Sequence, residues 1–199
     1  MNQATLTIHR KLDARQSDVR ARILDAARQL IHEQGHEAVG MEAIATTAGV
    51  SRATMYRYFA SKEHVVCAAA LAWGQDLAAR IPDAIAATEA AAAVDVAIEQ
   101  VVAEAASDLP MIRATMASVM ALGPVADEFR VGVRQMFQDL LGGAVNNAAA
   151  TLDPSMTLLG RIFFADLALL SVGDITVEQC VEELGLAARR LLAGGTHHN

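Results

Sequence analysis

The 199 residues carry 16 Lys/Arg against 23 Asp/Glu, a formal net charge of −7, and 53% of them are hydrophobic while only 4% are aromatic. This is enough apolar material for a core built from Ala, Leu, Val and Met, in one large domain or two smaller ones, and the dominance of helix formers points to an all-α protein. The acidic total argues against a uniformly basic nucleic-acid binder, and two cysteines far apart with no CxxC argue against a disulfide framework and fit a reducing cytosol.

The charge is unevenly spread. Residues 1–64 carry nine Lys/Arg and seven Asp/Glu, whereas residues 65–199 carry seven and sixteen. A mildly basic head on an acidic body would orient the molecule on a polyanion. No apolar core of a signal peptide stands at the N-terminus. The most apolar stretch, residues 156–172, is interrupted by Arg161 and Asp166, so no membrane partner is expected.

Residues 1–16 show no helical stripe and end in basic residues (Arg10, Lys11, Arg15), which reads as a flexible arm. Ser17 is expected to cap a first helix, with Ile23, Ala27, Leu30 and Ile31 on one face and Gly35 at its end. A short second helix is expected from Met41 to Ala48, closed by Gly49 in the left-handed conformation. Val50 then anchors the turn and Ser51 caps a third helix of about seven residues. Met55 and Phe59, four apart, form its inner face, because a helix this short holds only by packing. Arg52, Ala53, Tyr56 and Arg57 face outward, with Thr54 and Tyr58 at the edges. Ser61 caps a fourth helix, expected to stop before Pro82.

Two short helices around a Gly-containing turn form a helix-turn-helix, which presents its second helix to the DNA major groove. Arg52 is the candidate base reader, since its fork matches G O6 and N7, and Ala53 suits a thymine methyl. Thr54, Tyr56, Tyr58, Arg57 and Thr47 are candidate phosphate contacts, and Lys62 with the start of the fourth helix is a candidate phosphate clamp. Arg10, Lys11 and Arg15 suit the minor groove or simply solubilise the tail.

The body is expected to hold further helices: an Ala-rich one within 84–107, with residues 86–94 as a loose connection, one opened by Pro110, one from about Val125 to Ala150, one behind Asp153-Pro154, and a last one opened by Thr176 and Gln179 in capping-box spacing. The helix carrying Leu158, Leu159, Ile162, Phe163, Phe164, Leu167, Leu169 and Leu170 is apolar nearly all round, which one core alone does not require. With Val177, Val181, Leu184, Ala188 and Leu191 of the last helix, it suggests a four-helix interface between two copies, against a monomer whose core takes in both helices.

Residues 17–66 resemble the TetR family of bacterial transcriptional regulators. The resemblance lies in Ile44-Ala45, Ala48-Gly49-Val50-Ser51, Thr54-Met55-Tyr56-Arg57-Tyr58-Phe59 and Ser61-Lys62-Glu63, all in register. It implies a head at 17–64, an effector-binding and dimerisation body at 65–199, about nine helices, and a homodimer through the last two. It also implies a small-molecule effector that moves the fourth helix and releases an inverted-repeat operator. In that picture Trp73, Met111, Met116, Met120, Met136, Phe137, Phe163 and Phe164 are candidate ligand contacts for a small, largely apolar effector. Arg113, Thr115, Asn146 and Asp166 are its candidate polar partners. Val39, Gly40, His36, Ala53 and Val65 depart from the family's usual residues and bear on which operator is read.

No catalytic fingerprint and no Cys/His metal cluster stands in the chain, so neither an enzyme, a cofactor nor a metal site is expected. The alternatives to an effector-released repressor are an effector-independent architectural DNA binder and an activator.

Overall fold

The structure is a computed structural model and describes residues 14–85, 92–145 and 154–193. Every regular element among them is an α-helix: α1 Ala14–Gln34, α2 Met41–Thr47, α3 Arg52–Tyr58, α4 Lys62–Ile85, α5 Ala93–Ala106, α6 Leu109–Met120, α7 Pro124–Val145, α8 Pro154–Val172 and α9 Val177–Ala193. No single helix among them is long and apolar enough to cross a membrane. The arm expected at 1–16 lies outside the described residues up to 13, as do most of the connection expected at 86–94, the stretch 146–153 and residues 194–199.

Two helix boundaries differ from expectation. Ser17 does not cap α1, which begins at Ala14; Ala, Arg and Gln at 14–16 are strong helix formers that extend the helix past the serine. Proline 82 does not stop α4, which continues to Ile85. The ring removes one backbone hydrogen bond, yet Ile81 beside it is only 1% exposed and packs with Ala97 and Val101 of α5. Burying an isoleucine is worth about 1.5–3 kcal/mol, which offsets the roughly 3 kcal/mol proline penalty.

Several local expectations hold. Thr176 and Gln179 form the reciprocal capping box: the Thr176 amide donates to Gln179 Oε1 at 2.9 Å and the Gln179 amide to Thr176 Oγ1 at 3.2 Å. Asp108 caps α6, accepting from the Met111 amide, with Pro110 in the first turn.

Helix α4 is the spine, packing against α1, α5, α6 and α7, while α8 packs on α9 and α6. α4 and α7 interlock through glycines. A Cβ on Gly132 would lie 2.9 Å from Leu71 Cδ2, and one on Gly74 would lie 2.9 Å from Met136 Sδ. One apolar cluster runs without a break from Ile23 and Ile31 of α1 through Met55, Val65 and Val102 to Leu184 of α9.

Candidate nucleic-acid interface and effector cavity

The turn between α2 and α3 is closed by its own backbone. The Gly49 amide donates to Thr46 O at 3.1 Å and the Val50 amide to Ala45 O at 2.9 Å. Gly49 sits at φ +64°, which a side chain would strain. Ser51 caps α3, accepting from the Thr54 amide at 3.1 Å while its hydroxyl donates to Thr54 Oγ1 at 3.0 Å. Met55 (0% exposed) and Phe59 (1%) pin the helix to the core, and Phe59 is closed over by Arg20 and by the edge of His64.

This pinning leaves a defined outer face. Arg52, Ala53, Tyr56 and Arg57 are exposed, Thr54 and Tyr58 are half-buried, and Thr47 is exposed at the end of α2. Arg52 lies 5.6 Å from the Tyr56 ring centroid and Arg57 5.5 Å from that of Tyr58. Each stack is worth about 0.5–1 kcal/mol at an exposed site and narrows the orientations of a long side chain before any partner arrives. The face thus offers two guanidinium forks, one exposed phenol and a threonine whose hydroxyl is already engaged. Lys62 is placed differently from a free clamp: its Nζ donates to the Glu37 carbonyl at 2.6 Å, joining the α1–α2 connection to the start of α4. In that first turn of α4, hydrogen bonds from its own amide and from Ser61 hold the Glu63 carboxyl below its ordinary pKa.

Two neighbouring cavities lie in the body. The outer one, about 310 Å³, opens between α7 and α8. The inner one, about 50 Å³, lies beneath Trp73 and Leu77 of α4. Val133, Phe137 and Phe164 line both. The rings of Phe137, Phe163 and Phe164 form one cluster, with centroids 5.4–6.5 Å apart. A Cβ on Gly160 would come within 3.0 Å of the Phe137 ring, so the glycine leaves room for that ring against α8.

Five of the eight expected ligand contacts surround the inner cavity: Trp73, Met136, Phe137, Phe163 and Phe164. The other three line neither cavity. Met111 is fully buried in the core, Met116 is half-buried against it, and Met120 is 79% exposed at the end of α6. Their helical spacing is that of core and cap, which a methionine stripe cannot distinguish from a pocket. Among the expected polar partners, Thr115 lines the inner cavity but donates to Met111 O at 2.8 Å. Arg113 donates to the Ser171 carbonyl, Asp166 lines neither cavity, and Asn146 lies outside the described residues. Arg130, Arg134, Thr157, Gly160 and Arg161 also line the outer cavity, and composition alone does not mark them. Their signal was positional: 130, 133, 134, 137 on α7 and 157, 160, 161, 164 on α8 are matching i, i+3, i+4, i+7 stripes.

Cys67 and Cys180 are both buried free thiols. Burial raises the pKa of each, that of Cys180 to about 12 with help from Asp166 and Glu183, so neither is poised as a thiolate. Among the described residues no three His, Cys, Asp or Glu side chains converge as metal ligands.

Residues 23–69 match the family model described as bacterial regulatory proteins, tetR family. Over 54 residues the chain is 48% identical to the HTH-type transcriptional repressor KstR of Rhodococcus jostii, covering 27% of this chain and 26% of that one. The match thus spans about a quarter of the length of the curated relatives that share this segment. The whole fold is similar to that of a TetR transcriptional regulator from Rhodococcus sp. RHA1, with a TM-score of 0.78 at 21% identity over 89% of this chain and 97% of that one. It is also similar to that of Thermus thermophilus FadR, a TetR family repressor solved with lauroyl-CoA, with a TM-score of 0.68 at 19% identity over 90% and 96%. Head motif and family model agree that residues 23–69 are a segment of the tetR family of bacterial regulatory proteins, and the fold of the described residues is similar to that of solved TetR regulators.

Proposed function

We propose that the chain is a cytoplasmic, homodimeric, sequence-specific transcriptional repressor, with its DNA-binding head at 17–64 and its effector-binding and dimerisation body at 65–199. The observation that carries this is the outer face of α3. Arg52, Ala53, Tyr56 and Arg57 stand exposed together on a helix capped by Ser51 and fixed from behind by Met55 and Phe59. Arg52 reads base edges, and Tyr56, Tyr58, Arg57, Thr54 and Thr47 take phosphates, with Lys62 exchanging its carbonyl partner for a phosphate at the start of α4.

The dimer forms through α8 and α9, which leave Leu158, Leu169, Val172 and Leu186 exposed. Large apolar side chains gathered on one pair of helices call for a partner surface. An effector entering the body shifts α4, which lines the inner cavity through Trp73 and begins the body side of the head at Lys62. KstR, similar in the head, is a repressor, and FadR, similar in fold, binds lauroyl-CoA; both agree with this reading.

Selection of bound duplexes from a random DNA pool at fixed near-physiological salt tests it. Recovery of an inverted repeat, with half-sites about one helical turn apart or a multiple of it, supports a dimeric sequence reader. Binding that is salt-sensitive but yields no consensus overturns it in favour of an architectural role.

A further inference from the structure

The body contains no lysine, so its seven arginines are its only fixed cations among sixteen Asp/Glu. Four of them are engaged within the protein. Arg80 pairs with Glu104 and Arg189 with Asp95, Arg113 donates to Ser171 O, and Arg130 donates to Val119 O and Ala121 O while pairing with Asp127. Among the described residues Arg134, Arg161 and Arg190 have no such partner, although acids outnumber them throughout the body. Two of these three, Arg134 from α7 and Arg161 from α8, line the same cavity. Their position is not explained by ion pairing within the fold.

We propose that the outer cavity seats an oxyanion head, a carboxylate or a phosphate, whose aliphatic tail runs into the inner cavity; this rests on the reading of the body as an effector site. Arg134 and Arg161 are both exposed, so a charged head stays wet while gaining two fork donors. Beneath them the lining turns apolar, through Val119, Val133, Phe137 and Phe164. The outer volume of about 310 Å³ is at the small end of ligand sites. A linear tail gains more room by displacing Phe137 and Phe164, the rings that line both cavities, toward the space under Trp73. A purely apolar effector uses the inner space but makes no use of the two arginines.

Binding is read on the full chain without DNA, by quenching of Trp73, the single tryptophan, and by calorimetry. The probes are dodecanoate, dodecanoyl-coenzyme A and dodecan-1-ol. At least one of the two anionic probes binds at least about fivefold tighter than the alcohol, and the tighter of the two tells whether the head is a carboxylate or a phosphate-bearing group. Arg134→Ala and Arg161→Ala each weaken that probe by about two- to fivefold and leave the alcohol unchanged. Arg190→Ala, outside the cavity, alters neither. The seat is overturned if the alcohol binds as tightly as both anions, if the two cavity variants behave like Arg190→Ala, or if no probe binds. Operator affinity is measured separately. An anion that binds through the two arginines yet leaves operator affinity unchanged overturns the regulatory reading and keeps the seat.

Discussion

Arg52 and Lys62 sit ten positions apart and are expected to fail in different ways. Arg52 is free apart from its stack on Tyr56, so Arg52→Ala should relax the preference for the operator at one base pair in each half-site, by about 1–3 kcal/mol. In the proposed reading Lys62 takes a phosphate and not a base. Lys62→Ala should weaken operator and random DNA alike and lower the salt slope by roughly 0.9 per lost phosphate contact. Because Lys62 also bonds the Glu37 carbonyl, the variant should lose about 1 kcal/mol of stability as well. Equal losses on specific and random DNA for both variants would abolish this division.

A second residue-scale expectation concerns Asp166. It is 5% exposed, its Oδ2 has no hydrogen-bond partner among the described residues, and burial followed by the charge of Glu183 raises its pKa. A folded state that holds a proton the unfolded chain has released loses stability as pH rises. The loss begins in the ordinary carboxylate range and ends above the raised pKa. Asp166→Asn should therefore flatten the fall in melting temperature that sets in as pH rises through the ordinary carboxylate range, and unchanged curvature would place the slope elsewhere.

At the scale of elements, α4 and α7 test how closely two helices can be set. Gly132 leaves room for the Leu71 side chain, so Gly132→Val should lower stability by about 1–3 kcal/mol through overpacking. Adding Leu71→Ala should recover part of that loss, a coupling that urea denaturation can measure. The sequence made α2, α3 and α9 legible because their ends are written in local chemistry: Gly49, Ser51, and the Thr176–Gln179 pair each act within four residues. The head's outer face was legible for the same reason, since Met55 and Phe59 fix which residues are left outside. Pro82 was misleading because burial of Ile81 against α5, a non-local contact, outweighs a local rule. The pair of cavities was half legible. Aromatic residues marked the inner space, but Arg134 and Arg161 meet only when α7 and α8 are side by side, and nothing within one helix announces that.

For the whole molecule, the proposed head and body share one core. The apolar cluster crosses the boundary at residue 64 without a break, with Val65, Val66, Ala69 and Ala70 of α4 joining Ile23, Ile31 and Phe59. Polar ties cross it too. Arg28 of α1 reaches Asp76 of α4 at 2.6 Å, and His32 of α1 reaches Asp108, the cap of α6, at 3.1 Å. Exposed pairs of this kind are worth about 0–1 kcal/mol each, so the shared core and not the pairs should set the cooperativity. A fragment of residues 1–64 should therefore show little stable helix, because α1 lacks the α4 and α6 surfaces it packs against. In the full chain, far-UV circular dichroism reports all helices, while Trp73, 6% exposed, reports the body. Coincident transitions by both signals are expected for one cooperative unit. If the tryptophan signal instead changes only after about a quarter of the helical signal has gone, the share that α1, α2 and α3 contribute, the head melts on its own. A shift of α4 would then reach the DNA face by loosening the head and not by carrying it as a rigid piece.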